Sequence, residues 1–277
     1  MAQFFLPGKE FPSLSVTGER CALGCLHCRG HFLKGMIPAE NPNQLWRLAS
    51  RLESDGAAGF LLSGGCDRQG RVPLEGFGGV LRRIKRETGL MINVHPGLVG
   101  KEEADMLSSA QVDTVSVDVA GSERTLREVY NLNVGIRDVE RSLRFLRESS
   151  LPLTPHICVG VHGGRLLGES RALDIVSRYD PKALVLTALL PVPGTPFEPV
   201  RVEGSLVVEF FRESRRALPN IPIVLGCMRP RDDRQLDQAL LAEGIDGIAV
   251  PLPTTIRTSG VKEIKSTCCS LIGSKTL

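Results

Sequence analysis

One alternation constrains this chain more than any other feature. A short apolar, strand-like run is followed by an amphipathic helical stretch, over and over. The pattern predicts strands near residues 14–16, 59–62, 91–94, 114–119, 153–161, 183–190, 221–225 and 247–250. Helical stretches at 43–54, 76–88, 101–108, 137–149, 170–179, 204–217 and 233–243 follow most of them. Within 139–146, Val139, Leu143 and Leu146 recur at helical spacing with charges between them. Eight β-then-α units in 277 residues predict an α/β fold, a (β/α)8 TIM-type barrel. Residues 1–260 account for the barrel, and residues 261–277 break its rhythm. They are expected to form a C-terminal cysteine-bearing tail folding over the active face. No linker, tandem repeat or low-complexity tract divides the chain.

In such barrels the chemistry sits where strands end. The first strand end carries Cys21-Ala22-Leu23-Gly24-Cys25-Leu26-His27-Cys28, three of the eight cysteines in one Cys-x3-Cys-x2-Cys loop. That spacing aims three thiolates at one inorganic centre. A cubane held by three thiolates keeps one iron open to a small molecule. Zinc is the competing reading; it would recruit a fourth Cys or His, and His27 and His31 are near. A disulfide set is disfavoured, because Lys9 and Glu10 come too early for a secretory signal. No apolar run approaches the ~20 residues of a membrane span, so the expected location is the cytoplasm. A net charge of +3 does not argue for nucleic acid.

Other strand ends carry further candidates. Ser63-Gly64-Gly65-Cys66-Asp67 ends the second, and its two glycines let backbone approach a ligand closely. His95 ends the third, where it either contacts a ligand or caps the strand. Asp118 ends the fourth, and its carboxylate can accept hydrogen bonds from two ribose hydroxyls. Cys158 lies inside the fifth and reads as core packing. Cys227 ends the seventh, and Cys268-Cys269 lie in the tail. An extended chain covers ~3.3–3.6 Å per residue, so the tail can reach the barrel mouth. Cys227, Cys268 and Cys269 then converge on a second cluster, with Cys66 or a non-Cys group as fourth ligand. The alternative is a disordered terminus.

The first loop, on its strand, resembles that of the radical S-adenosylmethionine (SAM) superfamily. The resemblance implies a [4Fe-4S] cluster on Cys21, Cys25 and Cys28 whose free iron chelates SAM. It implies reductive cleavage of SAM to a 5′-deoxyadenosyl radical, with no His, Ser or carboxylate as main catalyst. Ser63, Gly64 and Gly65 stand where the family's Gly-Gly-Glu turn meets the SAM amino group, with Cys66 in place of the acid. Asp118 and Arg137 match approximately the ribose and carboxylate contacts of the biotin synthase branch. His95 stands as a further SAM or substrate contact. Gly160 lies on a strand similar to the family's adenine-packing strand. Pro193-Gly194-Thr195-Pro196 resembles the Pro-Gly-Thr-Pro loop of biotin synthase, and a cysteine near Cys158 ligates the sulfur-donating cluster there.

The Gly-Gly-Cys-Asp turn, the Gly-Cys-Met-Arg-Pro turn and the Cys-Cys tail resemble biotin-synthase-like proteins that work as a pair in a split lipoyl synthase. Ordinary lipoyl synthases carry auxiliary cysteines in an N-terminal extension, a pattern from which this chain departs. The resemblance implies sulfur insertion into a protein-bound octanoyl chain from a sacrificed auxiliary [4Fe-4S] cluster. It implies three partners: an octanoylated carrier protein or domain, a second radical SAM protein, and ferredoxin or flavodoxin as electron donor. Two other readings stand beside it. One is a different radical SAM enzyme, biotin-synthase-like or cofactor-assembling. The other is an iron–sulfur scaffold or electron carrier that never cleaves SAM.

Overall fold

Eleven strands form one all-parallel sheet in the computed structural model, which describes residues 2–274. They are β1 (Gln3–Phe5), β2 (Ser13–Ser15), β3 (Ile37–Pro38), β4 (Gly59–Ser63), β5 (Met91–Val94), β6 (Thr114–Asp118), β7 (Leu153–Val159), β8 (Leu184–Ala188), β9 (Ile223–Leu225), β10 (Gly247–Ala249) and β11 (Glu263–Lys265). The helices are α1 (Pro42–Ser54), α2 (Gly78–Glu87), α3 (Lys101–Ser109), α4 (Glu123–Glu128), α5 (Ile136–Glu148), α6 (Glu169–Ser177), α7 (Gly204–Ala217), α8 (Leu236–Ala242) and α9 (Pro253–Thr258). All eight expected strands are present, as β2 and β4 through β10, in the order 10-9-8-7-6-5-4-2. The sheet curls as a TIM-type barrel does, but its hydrogen bonding has two edges, β3 and β11. β1 is an addition: it pairs β10 on one side and β11 on the other, Phe4 opposite both Ile248 and Ile264.

The helices form for local reasons that the sequence carries. Asn41 caps α1 by accepting from the Gln44 N–H at 3.0 Å, with Pro42 in the first turn. In α5, Ile136, Val139, Leu143 and Leu146 make the buried stripe, and Asp138 turns back onto the Gly135 N–H at 2.9 Å. These stripes pack on the outer face of the sheet with Leu14, Phe60, Leu62, Ile92, Val115 and Leu186, the main core.

The inner face is different. Barrels of this kind fill their interior with bulky branched side chains. Here the inward positions include Asn93, Thr114, Ser116, Thr154 and His156, with Ala183, Val185 and Ala249. The space is taken by the tail. After β11 the chain turns in and forms a single 3-10 turn, Cys269–Leu271, that touches β6, β8 and β10. Ser270 Oγ meets Ser116 Oγ at 3.0 Å and His156 Nε2 at 3.2 Å, while its carbonyl accepts from Thr154 Oγ1 at 3.1 Å. Cys269 and Ile272 pack with Phe5, Val185, Val224 and Ala249. Ser274 reaches Lys182, which precedes β8 at the opposite end of the barrel. The tail, expected to fold over the active face, therefore plugs the barrel beneath it. The physical reason is hydrogen-bond satisfaction: buried hydroxyl, amide and imidazole groups need partners, and Ser270 supplies them. Residues 267–272 are thus part of the barrel's own packing. Among the described residues no helix is long and apolar enough to cross a membrane.

Candidate active site at the barrel mouth

The cysteine loop leaves β2 and is held from three sides. Leu26 N–H donates to Val129 O at 2.8 Å, and Asn131 Nδ2 donates to Leu23 O at 2.6 Å. Cys25 Sγ lies 3.2 Å from Tyr130 O, and the His27 and Tyr130 rings meet edge to face at 5.2 Å. The Tyr130-Asn131 stretch thus clasps the cysteine loop, a role the sequence reading did not assign it. Its signal was in the chain: Asn131 has φ of 54°, a conformation in which Asn is among the few tolerated residues.

Ligand atoms of Cys25, His27 and Cys28 lie within 4.8 Å of one another. The neighbouring Cys25 and the His27 imidazole bring Cys28 down to about 4. The proximity of Cys28, with burial and the other thiols, pushes Cys25 far up. All eight cysteines are free, and His27 Nδ1 is buried without a hydrogen-bond partner. Crowded thiols beside an unpartnered imidazole nitrogen are a donor set suited to a metal centre.

The turn after β4 presses on this loop. A Cβ at Gly65 would lie 2.0 Å from Arg20 O and 2.6 Å from Cys21 Cβ, so only glycine permits the approach. Gly65 N–H is given to Thr17 Oγ1 at 2.7 Å, and Ser63 Oγ to His95 O at 2.9 Å. Cys66 O accepts the Ala22 N–H at 2.8 Å. Cys66 therefore sits with Cys21 and Cys28, not with the tail cysteines. Burial first, then the charges of Cys21 and Asp118, push its thiol up to about 12.

Beside it, His95 Nε2 lies 3.4 Å from Asp118 Oδ2, and His156 Nδ1 lies 3.9 Å from Asp118 Oδ1. Burial opposes the Asp118 charge, but His95, His156 and His27 outweigh it and hold the carboxyl below its usual range. Burial likewise opposes a charge on His95, yet Asp118 turns the balance and raises it. His156 goes the other way, down to about 4, through burial and the neighbouring His95.

The remaining candidates divide. Gly160 has φ of +70°, and its N–H donates to Glu169 Oε1 at 3.0 Å. Glu169 is 5% exposed and also accepts from Leu167 N, so it fixes the loop after β7. Gly194 O accepts Arg29 Nη1 at 3.2 Å, which joins the exposed Pro193-Gly194 loop to the cysteine loop. Arg137 is exposed on the first turn of α5. Cys158 Sγ is buried near Thr187 and raised to about 12 by that burial.

The second thiol group lies inside the barrel. Asn93 Nδ2 is 3.4 Å from Cys268 Sγ. Cys268 is lowered to about 6, chiefly by the Cys269 thiol that donates to it, and its charge acts in turn on Cys227 and His95. The Cys227 loop is anchored by Arg229, 2% exposed, which donates to Gly226 O, Ala249 O and Asp237 Oδ1 at 2.7, 2.8 and 2.9 Å. Cys268 and Cys269 thus lie inside the barrel, whereas Cys227 is exposed after β9; among the described residues their three Sγ atoms do not all lie within 4.8 Å of one another.

The sequence profile described as Radical SAM superfamily matches residues 15–164, from β2 through the loop after β7. The chain belongs to the radical SAM superfamily. Curated relatives include a biotin synthase of Nitrosopumilus maritimus, 22% identical over 239 residues, spanning 84% of this chain and 73% of that protein. A biotin synthase of Halorhodospira halophila is 23% identical over 250 residues, 85% of this chain and 73% of its own. Among solved structures, methylornithine synthase superposes with a TM-score of 0.62 at 16% identity, covering 91% of this chain and 72% of that one. HydG, a maturase of the [FeFe]-hydrogenase, gives 0.66 at 14% identity, covering 90% and 56%. These structures share the fold: a curled parallel sheet with outer helices. The superfamily implies a [4Fe-4S] cluster and SAM, and the free thiols of Cys21, Cys25 and Cys28 fit the cluster.

Proposed function

We propose that this radical SAM enzyme inserts sulfur, as one component of a two-protein lipoyl synthase acting on a protein-bound octanoyl chain. The observation that carries the reading is the tail inside the barrel: it holds Cys268 Sγ 3.4 Å from Asn93 Nδ2, beside Cys269 and apart from the family's own cysteine loop. The likeness to biotin synthases supports a sulfur-inserting member of the superfamily.

When bound, the cluster and SAM supply a radical able to break an unactivated C–H bond. The chain does the rest. Cys21, Cys25 and Cys28 hold the first cluster, with Tyr130 and Asn131 fixing their loop. Cys227, Cys268 and Cys269 hold an auxiliary [4Fe-4S] cluster, the sulfur source, with Asn93 donating to Cys268. Ser270 and the apolar Ile272 fill the barrel below. Asp118 and His95 offer a carboxylate and an imidazole at the barrel mouth for the polar ends of SAM, with Ser63, Gly64, Gly65, Arg137, Gly160, Pro193 and Gly194 as its further contacts. An octanoylated carrier domain, a second radical SAM protein and a ferredoxin or flavodoxin complete the system.

The test is anaerobic reconstitution with an octanoyl-lysine peptide, with and without a candidate second radical SAM protein, read by mass spectrometry. Iron for two cubanes per chain and sulfur added to the octanoyl group are expected. Cleavage of SAM with the partner present, but no carbon–sulfur bond in the peptide, would overturn the reading.

A further inference from the structure

We propose that Cys66 is a reversible fourth ligand of the first cluster: its thiolate occupies the open iron until SAM displaces it. The inference rests on the superfamily's cluster and is independent of the octanoyl substrate.

The placement is built into the backbone. Gly65 lies so close to the cysteine loop that any Cβ would strike Arg20 O and Cys21 Cβ. One residue on, the Cys66 carbonyl is bonded to the N–H of Ala22, the neighbour of Cys21. The turn and the loop therefore move as one piece, and the Cys66 thiol is carried with the three ligands. A fourth thiol fixed to a three-thiol site matches a cubane, which has four irons and takes one thiolate on each.

The chemistry of the side chain agrees. Cys66 Sγ makes no hydrogen bond among the described residues, although the residue is half-buried. A half-buried sulfur with no hydrogen-bond donor lacks a partner, and an iron ion is one. The residue type points the same way. A carboxylate at this position would accept a hydrogen bond from an ammonium or amine. A thiol is a weak acceptor but a soft ligand that selects iron–sulfur centres.

The exchange balances without a redox partner. The Cys66 Sγ–iron bond would break with its electron pair left on sulfur. The SAM ammonium would give up one proton as its nitrogen and the carboxylate oxygen bind the iron, and the released thiolate would take up one proton, so no net proton is gained or lost. No electron is transferred. In the resting chain the ligand protects the labile iron from loss; on SAM arrival it competes with binding. If Cys66 occupies the iron nine times in ten, removing it tightens apparent SAM binding ~10-fold.

The reconstituted full chain is compared with Cys66→Ala and the near-isosteric Cys66→Ser. Two readouts are taken, neither of them turnover. The first is the three-iron EPR signal after brief mild oxidation without SAM; the second is the SAM dissociation constant. The proposal expects little three-iron signal from the unsubstituted chain, a large one from Cys66→Ala, and protection of both by SAM. It expects SAM to bind more tightly to Cys66→Ala, with Cys66→Ser in between. Equal three-iron yields and equal SAM affinities across the series would overturn it. That outcome would leave sulfur insertion into the peptide unaffected, so the two readings fail separately.

Discussion

Cutting the chain after Ser266 tests whether the tail is a core element or an appendage. The cut removes Leu271 and Ile272, which are 4% and 5% exposed. Burying such side chains contributes about 1.5–3 kcal/mol each, so the two together account for about 3–6 kcal/mol. That is a large part of the ~5–15 kcal/mol that holds a typical domain folded. The cut also strips Ser270 from Ser116, Thr154 and His156; water entering the emptied barrel recovers part of that loss. At about 2 °C per kcal/mol for a chain of this size, the metal-free protein should melt roughly 6–12 °C lower. The assay is thermal unfolding by circular dichroism on metal-free protein, beside Ile272→Ala, which should cost ~2–4 kcal/mol alone. A truncated chain that melts within a degree or two of the full chain would refute the plug, since an exposed tail carries no such energy. The same arithmetic shows why truncation is a poor probe of the auxiliary cysteines and why Cys268→Ser and Cys269→Ser are better ones.

Replacing Cys21, Cys25 and Cys28 together by Ala should abolish 5′-deoxyadenosine formation, measured by chromatography; wild-type rates would remove them as cluster ligands. The His156 value of about 4, below its ordinary 6.5, fixes the sign of a pH effect. Between those values the unfolded chain binds a proton the folded one refuses, so stability falls as pH drops from 6.5 to about 4, by up to ~1.4 kcal/mol per pH unit. His156→Gln should flatten that slope in urea unfolding, and an unchanged slope would place the effect elsewhere. Arg229→Met strands Asp237, which is 3% exposed and 2.9 Å away, and should cost ~3–5 kcal/mol. Arg229→Met with Asp237→Leu should recover part of the loss, and a double variant no better than the single would show that the ion pair is not the cause.

The barrel's eight strands were legible because most of their residues are buried and form short runs rich in apolar and β-branched side chains. Helices such as α5 and α7 were legible because one face alone is buried. The elements the sequence hid are short. β1, β3 and β11 have three, two and three residues, and α4 and α9 have six each, too few for any period to show. Their pairing is set by the tertiary fold. The first cysteine loop was readable from spacing alone, because three ligands of one centre must lie close in sequence or be brought together by a fold. Cys268 belongs to the second kind: topology suggested that the tail reaches the barrel but not the side from which it arrives.

That side was written in the strands in a form easily overlooked. Asn93 and His95, Ser116 and Asp118, Thr154 and His156 alternate with apolar residues on three neighbouring strands. In a parallel barrel both faces are buried, so a polar residue at every second position has no water to face. Either the interior holds a ligand or some other segment of the chain brings the missing partners. Here the tail does so: Asn93, Ser116, Thr154 and His156 are met by Cys268 and Ser270, while His95 and Asp118 pair with one another nearer the mouth. A barrel filled with Val and Leu would pack more densely and exclude the tail, and Cys268 with it. The polar interior that gives up that packing is what brings a tail cysteine to lie beneath the mouth.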